Sequence, residues 1–195
     1  MYRHFFKAIF DSFLSICGII VLAIPMIIIA IAIKIESKGP ALFKQKRLGK
    51  NKKEFTVYKF RTMCDHAFEK GGVASSESDN RITKVGKFLR KTSLDEFPQM
   101  FNILKGEMAI IGPRPILDFE FEDYTGNARY AHRYDAKPGM FCTVDLDLRA
   151  TATREQQFEM DAEYVDKMSF VLDCKVFFGI IKTVVTGKNV YKEQV

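Results

Sequence analysis

At 195 residues the chain can bury one substantial core but is short for several domains. Its 30 lysines and arginines against 24 acidic residues give a net charge of +6, which suits an anionic leaflet, a phosphorylated substrate or nucleic acid. Cys17, Cys64, Cys142 and Cys174 are scattered without a C-x-x-C pair, which excludes a disulfide framework and reads as reduced cytoplasmic thiols; with His4, His66 and His132 they make up no zinc ligand set.

The first element is an uncharged apolar segment from Ser12 to Ile33, about twenty residues and so long enough to cross a bilayer as a helix. Pro25 lies inside it; a proline lacks the amide hydrogen and clashes with the carbonyl four residues back, so a kink or break is expected there. The part from Ser12 to Ile24 would reach only roughly 20 Å, short of a ~30 Å hydrocarbon core. Arg3 and Lys7 precede the segment, and Lys34, Lys38, Lys44, Lys46 and Arg47 follow it. A spanning helix would put one basic cluster on the wrong side, whereas a re-entrant helix broken at Pro25 keeps both cytoplasmic; a kinked span is the alternative. No Ala-x-Ala-like site follows the segment, which argues against a cleaved signal peptide. In a membrane-bound chain the positive charge points to anionic lipids or a phosphorylated substrate, not to nucleic acid.

Ala41 to Arg47 and Phe55 to Phe60 carry aromatic and β-branched residues around a Gly49-Lys50-Asn51 turn and read as a β-hairpin. Its connection, Lys50 to Lys53, is a solvated turn or a contact for lipid headgroups. Gly71 to Asn80 reads as a flexible loop. Ile82, Val85, Phe88 and Leu89 then recur at helical spacing, with Asp79 or Asn80 as N-cap and Lys84, Lys87, Arg90 and Lys91 around the stripe; this amphipathic helix packs on the core or lies at the lipid surface.

Ser93 followed three residues later by Glu96 has the form of a capping box, with Phe97, Met100, Phe101 and Leu104 as the stripe of the helix it would start. Asp95 would fall in that first turn, where the helix dipole favours a carboxylate that can act as a nucleophile or a ligand for a hard cation; the competing reading of both acids is structural capping. In Gly112-Pro113-Arg114-Pro115 two prolines restrict the backbone around one arginine, a residue suited to bidentate phosphate recognition when it does not simply face water. Lys59, Arg61 and Arg90 are further cationic candidates. No G-x-x-x-x-G-K-[ST] run is present, which excludes a P-loop enzyme. Tyr164 to Val185 is apolar with interspersed Asp173, Lys175 and Lys182, a core or interfacial helix and not a span.

Several of these motifs occur in one order: Tyr58-Lys59-Phe60-Arg61-Thr62-Met63, then Thr92 to Met108 around Asp95-Glu96, Gly112-Pro113-Arg114-Pro115, Lys137-Pro138-Gly139, and Phe158-Glu159-Met160-Asp161 with Tyr164. In this the chain resembles the monotopic phosphoglycosyl transferases, or bacterial sugar transferases, over nearly its whole length. The resemblance implies an α+β, predominantly helical fold: a proline-broken re-entrant helix over residues 1–36 and a cytoplasmic catalytic domain over residues 37–195, with a small hairpin and amphipathic interfacial helices. It implies transfer of a phosphosugar from a UDP-sugar to polyprenol phosphate with release of UMP, at the cytoplasmic face of the bacterial inner membrane, as the first step of surface glycan assembly. Asp95 would be the nucleophile and carry a covalent phosphosugar, Glu96 would complete the dyad, and both would hold Mg2+. Lys59, Arg61, Arg90, Arg114, Arg149 and Asp161 would bind substrate.

Two positions depart from the family pattern. Ile24 stands where many members have serine before the proline, which removes a hydroxyl that could bond freed backbone groups. Met140 to Leu148 replaces the usual run of glycine, tryptophan and glutamine, with Asp145 at the glutamine position and Arg149 keeping the arginine. This second change motivates a competing reading, a non-catalytic membrane-surface scaffold that retains the fold.

Overall fold

The computed structural model describes residues 2–67, 79–148 and 151–186. Most of the expected Gly71 to Asn80 loop and Arg149 lie outside these residues. The apolar segment forms the middle of a longer helix, α1 (Lys7–Glu36), which Pro25 does not divide into two. Its N-terminal turn extends into charged sequence because those charges find partners: Lys7 Nζ lies 2.6 Å from Asp173 Oδ2, and Asp11 Oδ1 accepts the Ile110 amide at 3.3 Å.

One face of α1 packs on the rest of the chain along its length. Lys7, Asp11 and Ser15 are buried at one end. Ile19 and Leu22 lie against the main core, and Met26, Ile29, Ala30 and Ile33 lie against Phe60 and Leu89 at the other end. The opposite face is bare, with Ile20, Val21 and Ile24 each at least 70% exposed. A helix this apolar and this exposed would aggregate in water and needs lipid against it.

The hairpin forms as expected, β1 (Leu42–Leu48) antiparallel to β2 (Glu54–Phe60), with Gln45 opposite Val57 and Phe43 opposite Lys59. In its turn Asn51 and Lys52 take left-handed backbone angles. Lys52 Nζ sits over the rings of Phe121 and Tyr134, at 5.2 and 5.7 Å from their centroids, so this lysine is held by the protein and does not face a headgroup. The next helix, α2 (Lys84–Thr92), is capped by Thr83, whose hydroxyl accepts the Gly86 amide, and not by Asp79 or Asn80. Asp79 instead pairs with Arg81 at 2.7 Å.

After α3 (Gln99–Leu104) a short strand, β3 (Ala109–Ile111), leads into the Gly-Pro-Arg-Pro turn. The chain continues through α4 (Ala128–Ala131), β4 (Gly139–Phe141) parallel to β3, α5 (Val144–Asp147), α6 (Arg154–Lys167) and α7 (Phe170–Thr186). The Tyr164 to Val185 segment expected as one helix is thus two. Tyr164 lies in the last turn of α6, which ends at Lys167, Met168 leaves the helical conformation, and Ser169 precedes α7 with its Oγ accepting the Leu172 amide at 3.3 Å, the usual work of a serine N-cap. Val57, Met100, Ile103, Met108, Ile110, Tyr164 and Val176 form the main core where the hairpin, α3, β3, α6 and α7 meet. The α+β, predominantly helical class is as expected.

The close approach of β3 and β4 depends on two glycines. A Cβ on Gly139 would stand 2.1 Å from the Gly112 amide nitrogen, a backbone clash that no rotamer relieves. Gly139→Ala should therefore lower the thermal midpoint of the detergent-solubilised protein by several degrees, a cost of about 1–3 kcal/mol. Thermal unfolding with an unchanged midpoint would show that the turn can open without penalty.

Candidate active site

Asp95 and Glu96 lie on the sharp connection between α2 and α3, and the connection is built differently from a capping box. Ser93 takes a left-handed conformation (φ 57°) that closes α2, its amide bonding back to Arg90 and Leu89. It makes no side-chain cap bond, and Leu94–Glu96 forms a single 3-10 turn before Pro98 begins α3. The capping-box expectation is therefore corrected: as the left-handed C-cap of one helix, Ser93 lacks the extended backbone that an N-cap residue needs. Glu96 reaches across to β2, where its Oε1 meets Lys59 Nζ at 2.7 Å in a half-buried pair.

Arg114 enters from the turn after β3. Its peptide is fixed on both sides: its amide donates to Asp161 Oδ1 at 3.1 Å, and its carbonyl accepts from Arg133. Asp161 and Arg133 are themselves fully buried and paired at 2.6 Å. Asp161 therefore sits behind the turn and holds it. The Arg114 guanidinium is held by Nη1, 2.8 Å from Asp145 Oδ1. Asp145 is anchored in turn by the Cys142 amide at 3.1 Å. Its charge holds the Arg114 pKa above the ordinary arginine range, and burial with the same carboxylate pushes the Cys142 thiol up.

Lys59, Glu96 and Arg114 line one cleft, together with Arg47 and Gln99, which sequence reasoning did not select. Gln99 follows Glu96 by three residues, a helical spacing that could have singled it out. Arg47 sits opposite Phe55 on the hairpin, and its alternation with Gln45 carried no functional signal. Arg90 lies nearby with Nε donating to Thr62 Oγ1 at 2.9 Å. Arg61 is elsewhere: beyond the end of β2 it bends to the C-terminus of α1, donating to the Ser37 and Lys38 carbonyls. Its position makes it a tie between hairpin and α1, not a member of the cleft.

Asp95 is half-buried, and burial raises its carboxyl to about 6, with Lys59 pulling it down, Glu96 pushing it up and Arg90 pulling it down. The expectation of a carboxylate stabilised as an anion by its helix turn is reversed here: desolvation outweighs the turn and the cations. Among the described residues no group of three or more His, Cys, Asp or Glu side chains could hold a metal ion on protein ligands alone.

The order of these motifs and their convergence on one cleft agree with comparison to known proteins. Residues 2–187 match the family profile described as Bacterial sugar transferase. The chain belongs to this family of phosphoglycosyl transferases. The sugar transferase is 35% identical over 184 residues to the uncharacterized sugar transferase EpsL of Bacillus subtilis, covering 94% of this chain and 89% of that protein. It is 38% identical over 176 residues to the UDP-N-acetylgalactosamine-undecaprenyl-phosphate N-acetylgalactosaminephosphotransferase of Aeromonas hydrophila. A similar match, 38% over 174 residues, is to the UDP-glucose:undecaprenyl-phosphate glucose-1-phosphate transferase of Caulobacter vibrioides. The chain spans 42% and 64% of the length of these two proteins.

Two outcomes follow for this sugar transferase. Because burial raises the folded-state pKa of Asp95 to about 6, stability is lost as the pH rises from the ordinary carboxylate range to about 6, the full cost is present above that, and it vanishes below the ordinary range. Asp95→Asn should unfold at a higher temperature than the wild type at pH 7.5 and at the same temperature near pH 4. Asp161→Ala leaves Arg133 buried without its partner and should cost about 3–5 kcal/mol, measured by denaturant or thermal unfolding.

Proposed function

We propose that the chain transfers a phosphosugar from a UDP-sugar to polyprenol phosphate through a covalent intermediate on Asp95. The observation that carries this is the meeting of Glu96, the chain neighbour of Asp95, with Lys59 and Arg114 at one cleft, in a chain whose α1 presents a bare apolar face. A carboxylate with a pKa of about 6 is mostly ionised at pH 7.5 and more basic, hence more nucleophilic, than an ordinary aspartate.

In the first displacement an Asp95 oxygen bonds to the sugar-proximal phosphorus, and the bond from that phosphorus to the bridging oxygen breaks, so that UMP leaves with the bridging oxygen. In the second, a phosphate oxygen of the polyprenol phosphate attacks the same phosphorus and the Asp95 carboxylate is released. Lys59 and Arg114 neutralise and orient phosphate oxygens, Arg114 from a backbone that cannot swing.

Two adjacent carboxylates fit Mg2+, which commonly takes one or two protein carboxylates and completes its shell with substrate phosphates and water. Asp95 and Glu96 would hold the ion, and it would supply charge neutralisation for the diphosphate. The proposed setting is the cytoplasmic face of the bacterial inner membrane, with α1 as a re-entrant helix bent at Pro25. In support, residues from both ends of α1 pack on the same domain, which a straight crossing would prevent.

The test is UMP release from a panel of UDP-sugars with undecaprenyl phosphate and Mg2+. UMP should appear before the lipid is added, and labelled UMP should exchange into UDP-sugar. Asp95→Asn should lose release and exchange; retained exchange would mean another nucleophile. Arg114→Lys should lose at least about tenfold in kcat/KM despite its charge.

A further inference from the structure

Two carboxamides of α3 are buried, and they are treated differently. Asn102 is fully used: its Nδ2 donates to the Thr56 carbonyl and to Glu107, both at 2.7 Å, and its Oδ1 accepts the Tyr58 amide. Gln99 is 1% exposed and lines the cleft, yet its Oε1 is buried with no hydrogen-bond partner among the described residues. A buried carbonyl without a donor destabilises a fold, and a methionine in its place would fill similar volume without that penalty. Unsatisfied groups of this kind mark sites where a ligand completes the bonding.

The cleft narrows the class of donor. Phosphate oxygens flanked by Lys59 and Arg114 accept hydrogen bonds and offer none to Oε1, so the complement is a neutral O–H or N–H. Gln99 lines the same cleft as Glu96, the chain neighbour of the proposed nucleophile Asp95. The group it meets must then be attached close to the reacting phosphorus. Carbon 2 of the sugar is next to the anomeric carbon, whereas uracil is separated from that phosphorus by a second phosphate and a ribose. We propose that Gln99 is a specificity-determining residue whose Oε1 accepts a hydrogen bond from the hydroxyl or acylamino N–H at carbon 2 of the donor sugar. This rests on the phosphosugar-transfer reading above and names the substrate feature read at the same cleft.

The experiment uses the full chain in detergent carrying Asp95→Asn, so that nucleotide sugars bind without turnover. Calorimetry with UDP-glucose, UDP-galactose, UDP-N-acetylglucosamine and UDP-N-acetylgalactosamine finds the tightest ligand, and its 2-deoxy analogue is then compared. The 2-deoxy analogue should bind about tenfold more weakly or worse. Adding Gln99→Met should weaken the parent sugar about tenfold and bring the two ligands to equal affinity. The thermal midpoint of Gln99→Met without ligand should be unchanged or higher, which a merely structural role would not give. Persistent discrimination in Gln99→Met, or a lowered midpoint with parent affinity unchanged, overturns the inference. UMP release by the wild type keeps the two readings apart: release with persistent discrimination removes only the role of Gln99. Gln99-dependent binding without release removes only the transfer reaction. Failure of all four sugars to bind overturns both.

Discussion

The peptide of Arg114 is gripped from behind by a buried ion pair, and the cleft takes its shape from that grip. Asp161 on α6 accepts both Arg133 and the Arg114 amide, while Arg133 donates to the Arg114 carbonyl. Removing either charge would strand the other in a medium where it cannot be hydrated. With the peptide fixed and prolines on both sides, the guanidinium has few places to go, and Asp145 selects one of them by holding Nη1. The arginine is thereby pre-organised, so the cost of ordering it is met in folding and not at each encounter with an anion.

The same strand that delivers Arg114 is tied to the membrane helix. Asp11 of α1 accepts the Ile110 amide, and the Tyr164 hydroxyl lies within hydrogen-bonding distance of the Ile111 carbonyl and of Asp173, which pairs with Lys7. Just past the other end of α1, Arg61 donates to the Ser37 and Lys38 carbonyls, and Ile33 is buried against Leu89 of α2. Helix, strand and the Asp95–Glu96 turn are thus tied together through a chain of contacts, which fixes the cleft relative to the apolar face.

The electrostatics of the cleft follow from burial as much as from charge. Two carboxylates and two cations face one another around Lys59, yet Asp95 is still pushed toward the neutral form because water is partly excluded. Asp145 sets a negative charge against Arg114, which lowers the net positive charge that the arginine brings to the cleft.

The sequence by itself determined the long apolar helix, the hairpin and the ordered set of motifs around Asp95, Glu96 and Arg114. Each of these is written in local pattern: an uncharged run, alternation across a Gly-Lys-Asn turn, prolines flanking an arginine. What sequence could not decide were the partners of those residues. Ser93 looked like the start of a helix because a serine three residues before a glutamate is a local signal, and only the left-handed closure of α2 made it an end. Arg61 and Asp161 read as ligands for phosphate or sugar because buried and exposed charges look alike in a sequence, and tertiary packing gave one to the Ser37 and Lys38 carbonyls just after α1 and the other to Arg133. Gln99 was passed over for the same reason: a carboxamide in an amphipathic helix carries no sign of whether its oxygen will find a donor until the cleft around it is built.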